Sequence, residues 1–152
     1  VHLPDFCHRL VGPERAFEQW RVYAAPVPQG KTANDRRRYT GQRKFFNFVT
    51  RHRKGVLQLG RFQRDERGTL REKGVSLLLA VDLIRLAAGD AYDVAIVFSG
   101  NGDLVPAIKT VQEVCRKRVE VALTDVSADR LRQAADHVHA ITPELFENIR
   151  LG

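Results

Sequence analysis

The stretch "VAIVFSGNGDLVPAIKTV", Val94 to Val111, passes from apolar β-formers through Ser-Gly-Asn-Gly-Asp into apolar positions at helical spacing. Read as strand, turn and helix, it predicts one unit of a parallel α/β sheet. The strand, set at Tyr92 to Phe98, is a continuous apolar run of the kind buried on both faces. Asp103 is expected to open the helix, with Leu104, Ala107, Ile108, Val111, Val114 and Cys115 turned to the core. Ligand sites in such sheets lie beyond the C-terminal ends of the strands. Ser99 to Asp103 therefore falls on the predicted functional edge.

Working outward, the remaining chain supplies more strands and helices in alternation. Leu3 to Val11 reads as a short helix and Phe17 to Val27 as a strand. Asn34 can cap a long basic helix reaching His52, with Phe45, Phe48 and Val49 inward. Val56 to Phe62 reads as a strand, followed by a polar, arginine-rich connection from Gln63 to Glu72. Gly74 to Ala88 is apolar almost all round and predicts a buried helix. Val119 to Thr124 is a further strand, Ser127 caps another helix, and His139 to Thr142 forms the last strand. The predicted fold is a single domain over residues 1–152: a doubly wound, mainly parallel sheet with helices on both faces.

Composition narrows the function classes. The chain has 152 residues, 43% apolar and 28% charged, which excludes a disordered chain. No apolar run is long enough to span a bilayer, so no membrane partner is expected. Cys7 and Cys115 form no C-x-x-C pair, and neither zinc nor a disulfide framework is expected. They read as small buried hydrophobes in a reducing, cytoplasmic compartment. The chain is compatible with a homo-oligomer. Charge is uneven: Lys31 to Lys73 holds fourteen Lys and Arg against four Asp and Glu. Such a block suits a polyanion, and its arginine forks match phosphate geometry. Tyr39, Phe45, Phe46 and Phe48 are interleaved with it and could stack on bases. The basic residues of the long helix and its exit go round it rather than along one stripe. Arg61, Arg64, Arg67, Arg71 and Lys73 run toward the functional edge and are the favoured nucleic-acid contacts, Lys73 first. Trp20, His137, His139 and Asp136 are read as structural or surface residues.

At the tip itself two chemistries compete. Asp103 could help hold a divalent cation, although a lone Asp at a helix start is commonly a cap. Gly100 and Gly102 offer backbone N–H groups to an anion, but without a third glycine or a Walker lysine.

Several segments together resemble a known family. "KGVSLLLAVDLIRLAAGDAYDVAIVFSGNGDLVPAIKTVQEVCRKRVEVA" is similar to the central part of an NYN domain, the LabA-like branch of the PIN-like nucleases. "LGRFQRDER" fits as well, and Ser127, Leu131, Ala135 and Asp136 echo a later S-x-x-L-x-x-A-D segment. The family shows K-G-V-D leading a helix with a second Asp, and S-G-D-S-D after an apolar strand. The resemblance implies a magnesium- or manganese-dependent ribonuclease fold acting on RNA. Carried over, its site residues are Ser76, Asn101 and Asp103. Ser76 and Asn101 stand where acids are expected, which leaves Asp103 as the metal-ligand candidate. Asp82 matches the family's second helix Asp, but lies deeper along the helix and reads as structural. The family's first strand, with its own Asp, is expected to precede Val1. The chain contains no Met, so Val1 is not expected to start a translation product. Impaired or lost catalysis is the expectation. A non-catalytic RNA-binding or regulatory module is the alternative, and a nucleotide- or anion-binding domain using Gly100 and Gly102 is the third reading.

Overall fold

Three strands of the C-terminal half, β5 (Val94–Phe98), β6 (Arg118–Leu123) and β7 (His137–Ala140), pair in parallel in the order β5-β6-β7. This computed structural model describes residues 2–124 and 128–147, so the expected cap Ser127 lies outside the described residues. The chain divides into two compact units, residues 1–18 with 80–152, and residues 19–79.

In the first unit, period-two alternation sends Ile96 and Ala122 to one face of the sheet. There they pack with Ile141 and with Leu3, Phe6 and Leu10 of α1 (Leu3–Val11). Val119, Val121 and Leu123 have the opposite parity and are also buried. The turn after β5 is a short 3-10 segment, Gly102–Leu104, which runs into α4 (Val105–Glu113). Leu104, Ala107, Ile108 and Val111 are buried at the predicted spacing. Val114 is 75% exposed, contrary to expectation, because α4 has ended and Val114 is only its cap. Short helices α5 (Asp129–Ala134) and α6 (Pro143–Glu147) follow β6 and β7.

The second unit begins with β1 (Trp20–Ala24), shorter than the predicted strand, paired in parallel with β2 (Gly55–Leu59). Between them runs α2 (Ala33–Arg51). Its cap is Thr32, not Asn34. The Thr32 hydroxyl accepts the Asp35 N–H at 3.1 Å while the Asp35 carboxylate accepts the Thr32 N–H at 3.1 Å. This reciprocal box satisfies two orphan donors at once, and a cap at Asn34 does not offer that pairing. Val49 is fully buried, but Phe45 and Phe48 remain more than a third exposed. Trp20 is buried, with its ring against His52 and its Nε1 donating to His52 Nδ1 at 3.2 Å.

The expected connection from Gln63 to Glu72 is instead an antiparallel hairpin of β3 (Arg61–Arg64) and β4 (Leu70–Lys73). Gly60 lets the chain enter it. A Cβ there would lie 2.6 Å from the Lys73 carbonyl oxygen and 2.8 Å from Val75 Cγ2. Gly74, at φ +83, turns β4 into α3 (Val75–Ala88) through the left-handed region open to glycine. The division between the units falls within α3. That helix is not wholly buried as expected: Leu77 is 68% and Val81 50% exposed. Uniform apolarity removes the polar side that would orient a helix. It does not supply neighbours for every face.

Candidate functional site

The tip beyond β5 is organised by asparagine. Asn101 Oδ1 accepts the Asp103 N–H at 2.9 Å, and Ser99 Oγ accepts the Asn101 N–H at 3.2 Å. Asn101 is thus the cap of the 3-10 turn, a role the sequence had offered to Asp103. Asp103 is exposed in the first turn. Arg130 of α5 lies against the tip. Its Cδ is 3.6 Å and its Nη1 3.8 Å from where a Cβ on Gly102 would stand. Nothing in the local sequence pattern of Arg130 connects it to a loop nearly thirty residues earlier.

The chemistry of magnesium or manganese requires several oxygen ligands around one point. Asp103 is the sole carboxylate in the segment from Ser99 to Val105. Among the described residues, no group of three or more His, Cys, Asp or Glu could hold a metal ion. Among the described residues, the tip by itself therefore offers too few ligands for the divalent cation that the resemblance implies. Ser76 stands exposed in the first turn of α3, in the unit of residues 19–79, whereas Asn101 and Asp103 belong to the other unit. Asp82 is buried and accepts from Arg85 Nη2 at 3.0 Å, one turn along its own helix.

The five favoured basic residues share the hairpin. Register places Arg61 opposite Lys73 and Gln63 opposite Arg71 on one face, with Arg64 on the other. Arg67 lies in the turn. Asp65 holds that turn: its Oδ1 accepts from the Arg67 and Thr69 N–H groups, and its Oδ2 accepts from Arg71 Nε at 2.8 Å. Arg71, then these backbone donors, keep the Asp65 carboxyl below its usual range. Arg64 Nη1 donates to the Gly68 carbonyl at 2.8 Å. Arg64 and Arg71 thus partly serve the hairpin, and Arg61, Arg67 and Lys73 point no such bond back to it among the described residues. A cleft of about 460 Å³ is lined by Arg64, Arg67, Arg71 and Lys73 together with Asp65 and Glu66.

A second cluster lies at the N-terminal ends of β6 and β7, the edge opposite the tip. Glu120 is fully buried in β6. Its carboxylate accepts a fork from Arg15, Nη1 at 3.1 Å and Nη2 at 2.9 Å, and Arg118 Nε at 2.9 Å. His139 Nε2 lies 2.7 Å from Oε2, and His137 meets the His139 ring edge-on. Burial alone would raise the carboxyl, but hydrogen bonds from Arg15, Arg118 and His139 outweigh it and hold Glu120 at about 2. The sequence did contain a signal. An acid at a core position in "RVEVAL" demands partners, since a bare buried charge is too costly. Asp136, read as structural, ties β6 to β7: its Oδ2 accepts the Val119 N–H at 2.8 Å and its own N–H reaches the Val119 carbonyl. The free cysteines are only partly buried, and burial pushes the Cys7 thiol up to about 11. No helix among the described residues is long and apolar enough to cross a membrane.

Comparison with known proteins agrees with this architecture. A crystal structure of a protein of unknown function from Vibrio parahaemolyticus RIMD 2210633 superposes with a TM-score of 0.58 at 21% identity. The match covers 80% of this chain and 67% of that one, and supports a shared fold. No curated protein matches the chain. The family model of the NYN domain, a PIN-like nuclease family, matches residues 11–142, spanning β1, the hairpin, α3 and the tip. This chain belongs to the NYN domain family.

Proposed function

We propose that the chain is an RNA-associated NYN domain of the LabA-like branch, derived from metal-dependent ribonucleases and impaired in phosphodiester hydrolysis. One observation carries this reading: within a chain matched by the NYN model, the tip retains a single carboxylate, Asp103, while Asn101 spends its oxygen on a backbone cap. NYN nucleases generally depend on a divalent metal, magnesium or manganese, which would lower the pKa of an attacking water. Neutral Ser76 and Asn101 remove two charges that would offset a dication, so weak metal binding follows. The hairpin supplies the reason to keep RNA in the account. Arg61 and Lys73 occupy opposed positions across the strands, a like-charge pair that Asp65, which interacts electrostatically with Lys73, offsets from within the hairpin and that an RNA phosphate would relieve further. The doubly wound sheet and a cytoplasmic setting belong to the same reading, and the two free thiols accord with the latter.

The test is RNA cleavage with and without manganese, comparing the chain with Ser76→Asp and Asn101→Asp restored together. The expected result is little cleavage by the natural sequence and a manganese-dependent gain of roughly tenfold or more on restoration. No gain from a folded double variant overturns the degenerate-nuclease reading in favour of a non-catalytic RNA-binding module. Arg130 favours one further reading, in which its guanidinium beside Gly102 serves a metal-free phosphate site. Manganese-independent nucleotide binding that is lost in Arg130→Gln would select it.

A further inference from the structure

The structure turns α2 differently from the sequence reading, which sets Phe45 and Phe48 inward beside Val49. Val49 is fully buried, and Gln42 Nε2 donates to the Ala25 carbonyl at 3.0 Å while its Oε1 accepts the Val27 N–H at 2.7 Å. These two residues fix the inner side. At about 100° per residue, Arg36, Arg37, Arg43, Lys44 and Arg51 then fall within one sector of about 120° on the outer side. All five are exposed. The expectation that basic residues go round the helix is corrected here. The helix ends at Arg51, so Arg53 and Lys54 are not on it, and Arg38 is the lone Lys or Arg of α2 outside the sector.

The spacing within the sector is regular. Arg37, Lys44 and Arg51 are seven residues apart, and Arg36 and Arg43 repeat the same interval. Seven residues advance the helix by about 10.5 Å. Between the cations stand Thr40 and Asn47, small polar groups that can donate to phosphate or sugar oxygens. No aromatic ring stands within the sector, although Tyr39 at its edge lies under the Arg43 guanidinium, 5.8 Å from the ring centroid, and its hydroxyl accepts from Arg43 Nη1 at 3.2 Å. Phe48 borders the sector, with its ring against Trp20 and His52, and Phe45 lies on another side. A surface built for unpaired bases would present stacking rings. A rigid row of cations suits a rigid row of phosphates, because a flexible strand must lose conformational entropy to match it. Arg37, Lys44 and Arg51 have no carboxylate partner among the described residues.

We infer that the outer face of α2 binds the sugar-phosphate backbone of a double-stranded nucleic acid, independently of base sequence. This rests on the proposed association with RNA and names the form of the nucleic acid. The test compares binding of the chain to an RNA duplex of about twenty base pairs, longer than the roughly 22 Å stripe, to its separate strands, and to the matching DNA duplex, over a range of salt. The variants are Arg37→Gln/Lys44→Gln/Arg51→Gln and a charge-matched control, Arg38→Gln/Arg53→Gln/Lys109→Gln. The stripe variant is expected to bind duplex roughly tenfold or more weakly, with a salt slope smaller by about three and circular dichroism unchanged. The control and the single strands are expected to show much smaller losses. Preference between the RNA and DNA duplexes identifies which one the face serves. Equal loss in the control or equal loss on single strands overturns the inference. If the natural chain binds nucleic acid and the stripe variant is unaffected, this inference alone fails. If the natural chain binds none, the proposed association with RNA fails with it.

Discussion

Asn101 is where composition and chemistry part company at the tip. The sequence located it, with Asp103, beyond the end of β5, and that position is observed. What the sequence could not fix was which side chain caps the turn, because Asn and Asp are equally good caps and "GNGD" offers both. The 3-10 register decided for Asn101, whose Oδ1 meets the Asp103 N–H. Asn101→Ala should therefore cost about 1 kcal/mol in urea unfolding, the usual loss of a cap. Asn101→Asp should cost almost nothing, since a carboxylate accepts the same bond. Equal stability of Asn101→Ala and the natural chain would show that the observed bond contributes no capping. The near-neutrality expected of Asn101→Asp also makes the restoration experiment a fair one, because a silent result cannot then be blamed on a broken tip.

At the scale of elements, apolar patterning was legible and polar structure was not. The run in "VAIVF", the helical spacing from Leu104 to Val111 and the alternation in β6 all depend on burial, which the sequence records directly. The hairpin depends on a turn instead. Its strands contain only Phe62 and Leu70 as apolar residues, so no period-two signal announces them. Gly68 at φ +77 and the three donors gathered by Asp65 close it. Asp65→Ala should release the turn and expose the arginines around it, so limited trypsin digestion between Arg61 and Lys73 should be several-fold faster than in the natural chain. The same hold is lost by protonation. Since the Asp65 carboxyl is depressed in the folded chain, its contribution is present above the ordinary carboxylate range and disappears as pH falls below it. Unchanged digestion in Asp65→Ala would mean that strand pairing alone keeps the hairpin closed.

For the whole molecule, alternation of strands and helices predicted parallel pairing, and both parallel sheets are observed. The long-range ties were illegible, because they join residues with no local relation. Residues 1–18 fold with residues 80–152 although sixty-one residues intervene. Apolar contact of Phe6 with Phe98, Ala122 and Ile141 makes part of that tie, and the Arg15 fork on Glu120, across 105 positions, makes another. A buried carboxylate with three cationic or hydrogen-bonding partners is weak evidence of net stabilisation, but removing its charge leaves those partners unpaired. Arg15 and Arg118 are partly exposed and can recover some hydration, so Glu120→Gln should cost about 2–3 kcal/mol at pH 7, below the range for fully buried pairs. The pH dependence then separates charge from packing. Unfolded, the Glu120 carboxyl takes up its proton near 4.5, whereas folded it does so only at about 2. Its stabilisation is therefore complete above about 4.5 and is lost as pH falls toward 2. Urea unfolding of the natural chain and of Glu120→Gln, compared from pH 7 down to 2.5, should show the difference between them shrinking through that window. A difference that stays constant with pH would assign the role of Glu120 to its shape, and Arg15 would then be held by something other than its charge.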